Sequence, residues 1–317
     1  MTEPPANPDL SVLVCTRDRC AKLARLLDAM ERLELPPHVT WELVVVDNGS
    51  SDGTPALLER AAARLPLRTV VVPERGVSRA RNAALDAARG RVLAFTDDDC
   101  IPDRRWLATI HEEFARDPAL AILGGRVELF DARDFPITIR TGRERRVSAS
   151  AREVTDLVVG CNLAFRRSAA SAVGRFDETL GAGTPAAAAE DIDFAYRIAR
   201  RGMKLVYVPE ALVLHDHGRR TDAEVSRLRG VYTRGRGAMF AKHLLRLDRV
   251  MLRRVADDAR LQARMAMDDL RARRFPRRAV RHYALVAAGA AGWLRMRIAR
   301  SVSARRGARR GRAPSGS

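Results

Sequence analysis

Four short apolar runs punctuate the first hundred residues: SVLVCT (11–16), WELVVVD (41–47), LRTVVVP (67–73) and RVLAFTD (91–97). Continuous β-branched runs of this length suit strands buried on both faces, as in a parallel sheet. Between them, residues 20–35, 54–65 and 77–88 carry apolar positions at helical spacing. Strand–helix alternation at this interval predicts an α/β fold, a Rossmann-like open and mostly parallel sheet with helices on both faces. Residues 104–116 read as a helix, and LAILGGRVEL (120–129) as a strand interrupted by two glycines. Residues 131–153 are charged and weakly periodic, so a loop or mobile segment is expected there. LVVGCNLAFRR (157–167) returns to strand character, residues 190–201 form a helix stopped by Gly202, and residues 205–218 hold two more short strands.

Beyond Gly218 the pattern turns wholly helical and basic. The formal net charge is +18, yet residues 218–317 hold 27 Lys and Arg against 7 Asp and Glu, so this last third carries a local +20. Four parts are therefore expected: an N-terminal tail (1–10), a near-neutral α/β domain (11–218), a basic helical extension (219–300) and a disordered arginine-rich tail (301–317). Cys15, Cys20, Cys100 and Cys161 are too few and too scattered for a disulfide framework, and no CxxC pair suggests zinc. The N-terminus MTEPPANPDL lacks a signal-peptide pattern, so a reduced, cytoplasmic setting is the simplest expectation.

Three of the apolar runs end in polar residues: Thr16-Arg17-Asp18, Asp47-Asn48-Gly49, and Thr96 leading into Asp97, Asp98 and Asp99. Ligands of open α/β sheets sit at the carboxyl ends of strands, so these endings converge on one crevice. Three adjacent carboxylates fit either a polar turn or a hard-cation site, since Mg²⁺ and Mn²⁺ take oxygen ligands shared with substrate phosphates. VVVDNGSSDGT (44–54) reads as a strand and turn, with Ser51 or Asp52 free to cap the next helix; alternatively Asp47 at the strand tip accepts hydrogen bonds from a nucleoside. In ERGVSRARNAAL (74–85), Gly76 marks a loop-to-helix junction, with Arg79 and Asn82 on one helical face. Such a helix start suits phosphate, although arginines more often simply face solvent. The segment is neither a Walker loop nor GxGxxG.

In this order, Thr16-Arg17, DNGSSDGT (47–54), Gly76-x-x-x-Ala80-Arg81-Asn82 and Asp97-Asp98-Asp99 closely resemble the family 2 glycosyltransferases, inverting enzymes of the A-type nucleotide-sugar fold (GT-A). The resemblance covers roughly residues 11–218. It implies that Asp47 reads the base beside the Thr16–Arg17 loop, with Asn48, Ser50, Asp52, Arg79, Asn82, Asp97 and Asp98 contributing to nucleotide binding. It further implies that the aspartates form the Asp-x-Asp motif. Asp97 would face the ribose, while Asp99, with Asp97 and His215, would hold a divalent metal (Mg²⁺ or Mn²⁺) that bridges the diphosphate and offsets the repulsion. An inverting transfer needs a base, and EDIDFAYRIARRG resembles the family's later acidic signature. Asp191 is the candidate, with Glu190 beside it. Gly160, Cys161 and Asn162 would line the sugar or acceptor pocket, and the small-residue segment 181–189 would be an acceptor-side lid.

In the extension, arginine clusters at 271–278 and 305–312 flank HYALVAAGAAGWLRMRI (282–298). Its uncharged core, 283–294, would span only about 18 Å as a helix, against a hydrocarbon core of ~30 Å. Shallow binding at an anionic membrane surface fits it, as does docking on the catalytic domain; nucleic acid is disfavoured, because no recognition motif or aromatic interleaving is present. The activity the resemblance implies is sugar transfer from a nucleoside-diphosphate sugar to an acceptor hydroxyl in polysaccharide, cell-envelope or glycolipid synthesis, a lipid-linked acceptor being among those expected. The rivals are a sugar nucleotidyltransferase, whose glycine-rich loop after the first strand is replaced here by CTRDRCAK, and a basic binding protein acting through its tail.

Overall fold

The computed structural model describes residues 7–310, with side chains through 302. The chain divides into two compact units: Met1–Glu178 with Glu190–Val225, and Thr179–Ala189 with Ser226–Ser317.

The first unit is built on one sheet, ordered β3-β2-β1-β4-β8-β6-β9-β5, with β7 pairing β9. Strands β1 (Leu10–Thr16), β2 (Trp41–Asp47), β3 (Leu67–Val71) and β4 (Val92–Asp97) alternate with helices α1 (Cys20–Met30), α2 (Thr54–Ala61) and α3 (Val77–Ala87). These four strands run parallel. The short β5 (Cys100–Pro102) and α4 (Trp106–Arg116) follow, then β6 (Leu120–Leu129), β7 (Arg146–Ser148), α5 (Val154–Leu157), β8 (Asn162–Arg166), α6 (Arg167–Val173), α7 (Glu190–Ala199) and β9 (Lys204–His215). Strand β8 inserts antiparallel between β4 and β6. The apolar runs form the core: Val12, Val14, Leu43, Val45 and Ala94 pack with Leu23, Leu27, Trp106, Leu107 and Leu123.

Several boundaries differ from the sequence expectation. Helix α1 stops at Met30, short of the expected residue 35, and the chain from Leu33 to the start of β2 is irregular. The expected strand at 157–161 is the end of α5 and a turn. The two short strands expected over 205–218 are the single β9, in which register jumps from Val208 to Leu212 against the adjacent Gly125 and Arg126. Pro209 lies in that bulge, where a residue without an N–H is tolerated. The segment 131–153 is largely irregular, with only β7 and one 3-10 turn at Ala151–Glu153.

The second unit is helical, with α8 (Asp222–Leu244), α9 (Arg249–Arg271) and α10 (Arg277–Arg310). The tail expected to be disordered from 301 is helical through 310, in keeping with its alanine and arginine content; residues 311–317 lie outside the described residues. The segment expected as a lid is part of this unit's core. Leu180 and Ala186 are fully buried and pack with Ala238 and Trp293. Its small residues serve close packing: a Cβ on Gly235 would lie 2.8 Å from the Ala188 Cβ, and one on Gly292 2.8 Å from the Pro185 Cβ. Among the described residues no helix is long and apolar enough to cross a membrane.

Candidate active site

Strand β1 lies between β2 and β4, so the connections leaving its two neighbours part at their carboxyl ends and open a crevice. Register sets Thr16 opposite Asp47 and Cys15 opposite Asp97. The polar strand endings thus share one edge of the sheet.

Most of the polar residues on the β1 and β2 loops brace those loops. Asp47 is buried and accepts from the Ser50 backbone N–H at 2.8 Å. The Ser50 hydroxyl accepts from the N–H of Asp18, which has a positive φ of 50°. Asp52 accepts from the N–H groups of both Cys20 and Thr54 at 3.0 Å, satisfying donors at the starts of α1 and α2. Asn48 donates to the Val72 and Glu74 carbonyls and accepts from Gly76 N–H, holding the β3–α3 loop. Arg17 donates to the Asn48 carbonyl at 3.2 Å. Asn48, Ser50 and Asp52, expected to touch nucleotide, therefore use their side chains on neighbouring backbone, as short polar side chains in turns readily do.

The three aspartates have three environments. Asp98 is buried, accepting from the Thr16 hydroxyl and from Arg19 Nη1, each at 2.8 Å. The same Arg19 nitrogen donates to Asp99 Oδ2 at 2.8 Å. His215 Nε2 stands 3.4 Å from Asp99 Oδ1. Asp97 keeps 43% of its side chain exposed and faces Arg81 Nη2 at 3.6 Å. Arg19, Arg81 and His215 thus offset the carboxylates' mutual repulsion with cations of the chain itself, and a bound ion is not needed for that task. Asp98, expected as a nucleotide ligand, has a structural role.

The protein packed around one side of Asp97, with repulsion from Asp99 and Asp98, pushes it up to about 6 against the pull of Arg81, while its other side stays open to water. Burial acts the same way on Asp99, but the hydrogen bond and charge of His215, with the charge of Arg19, outweigh it and hold that carboxyl well below the usual range. His215 rises to about 9, because Asp99 outweighs the burial that alone would lower it. Thr138 fixes this ring: its hydroxyl donates to the Ile137 carbonyl, so its two oxygens, 3.2 and 3.3 Å from Nδ1, act as acceptors there. Nε2 is left facing Asp99.

Asp99, Cys100 and His215 each bring a ligand atom into a group spanning 4.8 Å. The Cys100 thiol is pushed well up by burial and by Cys161, which leaves it protonated. A carboxylate oxygen and an oriented imidazole nitrogen, which must give up its proton to bind, fit a divalent ion that keeps most of its coordination for phosphate and water. Asp97, expected as a further ligand, lies outside this trio.

Across the crevice, Arg81 Nη1 lies 3.4 Å from Glu190 Oε1, so one buried guanidinium links Asp97 to the start of α7. Burial pushes Glu190 up to about 7, opposed by Arg81. Beside it, Asp191 accepts from Ile192 N–H at 2.7 Å. A Cβ on Gly160 would lie 1.8 Å from Asp191 Oδ2. Only glycine leaves room for that carboxylate.

Other expected residues stand elsewhere. Arg79 pairs with Glu178 at 3.6 Å and is partly exposed. Asn82 is buried and clamps Phe176, accepting its N–H at 2.8 Å and donating to its carbonyl at 3.1 Å. Asn162 accepts from the Trp106 indole at 2.9 Å and donates to the Arg126 and Ala211 carbonyls, which makes it a core bracket rather than a pocket wall. The Cys161 carbonyl accepts from Thr96. His217 is held between the Arg219 N–H and the Phe135 carbonyl.

The sequence model described as glycosyl transferase family 2 matches residues 11–174, more than half of the chain. The chain belongs to glycosyl transferase family 2. Over 225 residues it is 29% identical to a pre-mycofactocin glycosyltransferase of Mycobacterium tuberculosis, covering 68% of this chain and 44% of that one. Over 208 residues it is 30% identical to the succinoglycan biosynthesis protein ExoM of Rhizobium meliloti, covering 64% and 65%. The chain therefore spans less than half of the first relative and about two thirds of the second. Among solved structures it is similar to the mannosyltransferase PcManGT from Pyrobaculum calidifontis, in complex with GDP-Man and Mn²⁺. That match has a TM-score of 0.61 and 22% identity over 92% of this chain and 88% of that one. It shows the GT-A fold.

In this family 2 chain, sequence reasoning missed Arg19 and quoted Arg81 only within a motif, without giving it a role. Arg81 carried a signal: it shares the α3 face of Ser78, Ala80, Asn82 and Ala84, and small residues mark the side of a helix that is buried. Arg19 carried none, since its partners lie 79 and 80 residues away.

Proposed function

We propose that the chain transfers a sugar from a nucleoside-diphosphate sugar to an acceptor hydroxyl with inversion, assisted by Mg²⁺ or Mn²⁺. The work belongs to cell-envelope polysaccharide or lipid-linked glycan assembly, at the inner face of a membrane. The α/β unit is assigned the chemistry and the helical unit the attachment.

The observation that carries this reading is the meeting of Asp47, Asp97, Asp99, His215 and the Arg81–Glu190 pair about one sheet edge. Asp47 and the Thr16–Arg17 loop take the nucleoside, and Asp97, steadied by Arg81, takes the ribose side. Asp99 and His215 would hold the metal, which when bound supplies Lewis-acid stabilisation of the departing diphosphate. Asp191 takes the proton of the acceptor hydroxyl as it attacks from the face opposite the leaving group. Glu190, neutral or paired with Arg81, orients that region. The likeness to a mannosyltransferase solved with GDP-Man and Mn²⁺ supports the donor class and the metal.

The test is a panel of nucleoside-diphosphate sugars with the purified chain. Turnover is expected to require divalent metal, to stop on chelation, and to be lost in Asp99→Ala. Asp191→Asn should lower kcat by about 100-fold or more while leaving donor Kd unchanged. Full activity of Asp99→Ala after chelation would overturn the site.

A further inference from the structure

Helix α10 is apolar on two sides. On one, a Cβ on Gly289 would lie 1.9 Å from the Arg234 carbonyl oxygen, and one on Gly237 2.1 Å from that of Val286, so the backbones of α8 and α10 nearly touch. Ala279 and Trp293 are buried with them. That contact fixes the rotation of α10 about its axis. On the opposite side Val280, Tyr283, Ala291, Leu294, Ile298 and Val302 return at helical spacing and are exposed, the large ones by 43–55%. This stripe runs about 33 Å along the helix. Exposed Arg277, Arg281 and Arg295 border it on one side and Arg297 on the other. At the turn before α10, Phe275 is 68% exposed among Arg271, Arg273 and Arg274. From residue 271 to the end there are fourteen arginines and no aspartate or glutamate.

A packed helix needs one apolar face; a second, continuous one calls for a second covering. We propose that this outer face of α10 lies in the headgroup region of an anionic phospholipid bilayer, with Phe275 entering beside it. Acyl chains cover the stripe, and lipid phosphates take the bordering arginines. A second copy of the chain fits the stripe poorly. Ala287 and Ala291 leave shallow knobs at its centre, and a two-fold partner would bring arginine borders against one another. Nucleic acid would satisfy the arginines and leave the stripe in water. The proposal rests on the membrane-surface reading above and names the element that performs it.

The experiment is co-sedimentation of the full chain with phosphatidylcholine vesicles, with and without phosphatidylglycerol, and sedimentation velocity without lipid. The unchanged chain is expected to bind only the anionic vesicles. The variant carrying Leu294→Glu and Ile298→Glu should bind at least about tenfold more weakly, with its thermal midpoint and nucleoside-diphosphate binding unchanged. A second variant with Arg277→Gln, Arg281→Gln and Arg295→Gln should weaken binding and flatten its salt dependence. No binding by the unchanged chain overturns both this proposal and the membrane-surface reading, while donor turnover tests the chemistry separately. Equal binding by the glutamate variant overturns the assignment to α10 alone. So does a dimer of the unchanged chain that the glutamates dissolve, or retention of duplex DNA in place of vesicles.

Discussion

Replacing Arg81 with methionine isolates the charge at the centre of the crevice. Methionine keeps apolar volume near the Phe95 and Phe176 rings, whose centroids lie 5.9 and 5.8 Å from the guanidinium carbon. The Arg81 and Glu190 side chains are 8% and 9% exposed, so deletion leaves Glu190 as a buried, uncompensated acid. Losing one partner of a buried pair costs about 3–5 kcal/mol. Asp97, at 43% exposure, adds little because water screens it. We expect about 3 kcal/mol at pH 8. The sign of the pH dependence follows from the raised carboxyls. Glu190 sits at about 7 against an ordinary 4.5, and Asp97 at about 6 against 3.8. Between these limits the folded chain holds more protons than the unfolded one, so these two groups make stability fall as pH rises from about 4 to 7. Without Arg81 both carboxyls rise further, so the loss grows above pH 7 and shrinks toward pH 5, where Glu190 is already protonated. Only the unit between pH 8 and the Glu190 value of about 7 changes the loss, so at about 1.4 kcal/mol per unit we expect about 1.6 kcal/mol to remain at pH 5. For a unit of this size, 1 kcal/mol moves the thermal midpoint by about 2–4 °C. Circular-dichroism melts should therefore drop by about 6–12 °C at pH 8 and by about half that, about 3–6 °C, at pH 5. An equal drop at both pH values would refute the argument and assign Arg81 to packing alone.

Three further outcomes are expected. Gly160→Ala should displace the Asp191 carboxylate and lower kcat by about 100-fold, with the melt nearly unchanged; normal turnover would separate Asp191 from the chemistry. Arg19→Gln removes a cation that donates to Asp99 Oδ2 and competes for that carboxylate's charge, so Mn²⁺ should bind about 3–10-fold more tightly by titration calorimetry; weaker binding would make Arg19 an organiser of the metal site instead. Asn82→Ala leaves both backbone groups of Phe176 unpaired and should destabilise by about 2–3 kcal/mol in urea melts. Donor affinity measured on the folded fraction should not move; a lower affinity would restore Asn82 to the nucleotide site.

The strand tips were legible because their cause is local: an apolar run long enough for one strand, then turn formers. Asp47, Thr16 and Asp97 meet where that pattern put them. What the pattern does not hold is partner choice among polar side chains. In α3 it offered Arg79 and Arg81, and the helix phase set by Ala80 and Ala84 turned Arg81 inward. Arg19 meets Asp98 and Asp99 through a contact across some 80 residues. Segment 181–189 read as flexible because its residues are small. Smallness also permits tight packing, and the closeness of Ala188 to Gly235 shows which applies. The insertion of β8 between β4 and β6 likewise depends on tertiary packing rather than on any local run.

The helical unit is drawn from two separated stretches of chain, Thr179–Ala189 and Ser226–Ser317. No single scission can therefore detach it. A protein shortened at Gly218 would retain Leu180 and Ala186 after losing Ala238 and Trp293, the side chains that cover them. Those newly bare positions lie just upstream of Glu190. Loss of activity on such truncation would thus report damage to the neighbouring acidic residues as readily as the loss of a membrane anchor. Point changes on the outer face of α10 avoid that ambiguity, and a graft of this unit onto another enzyme would need two junctions.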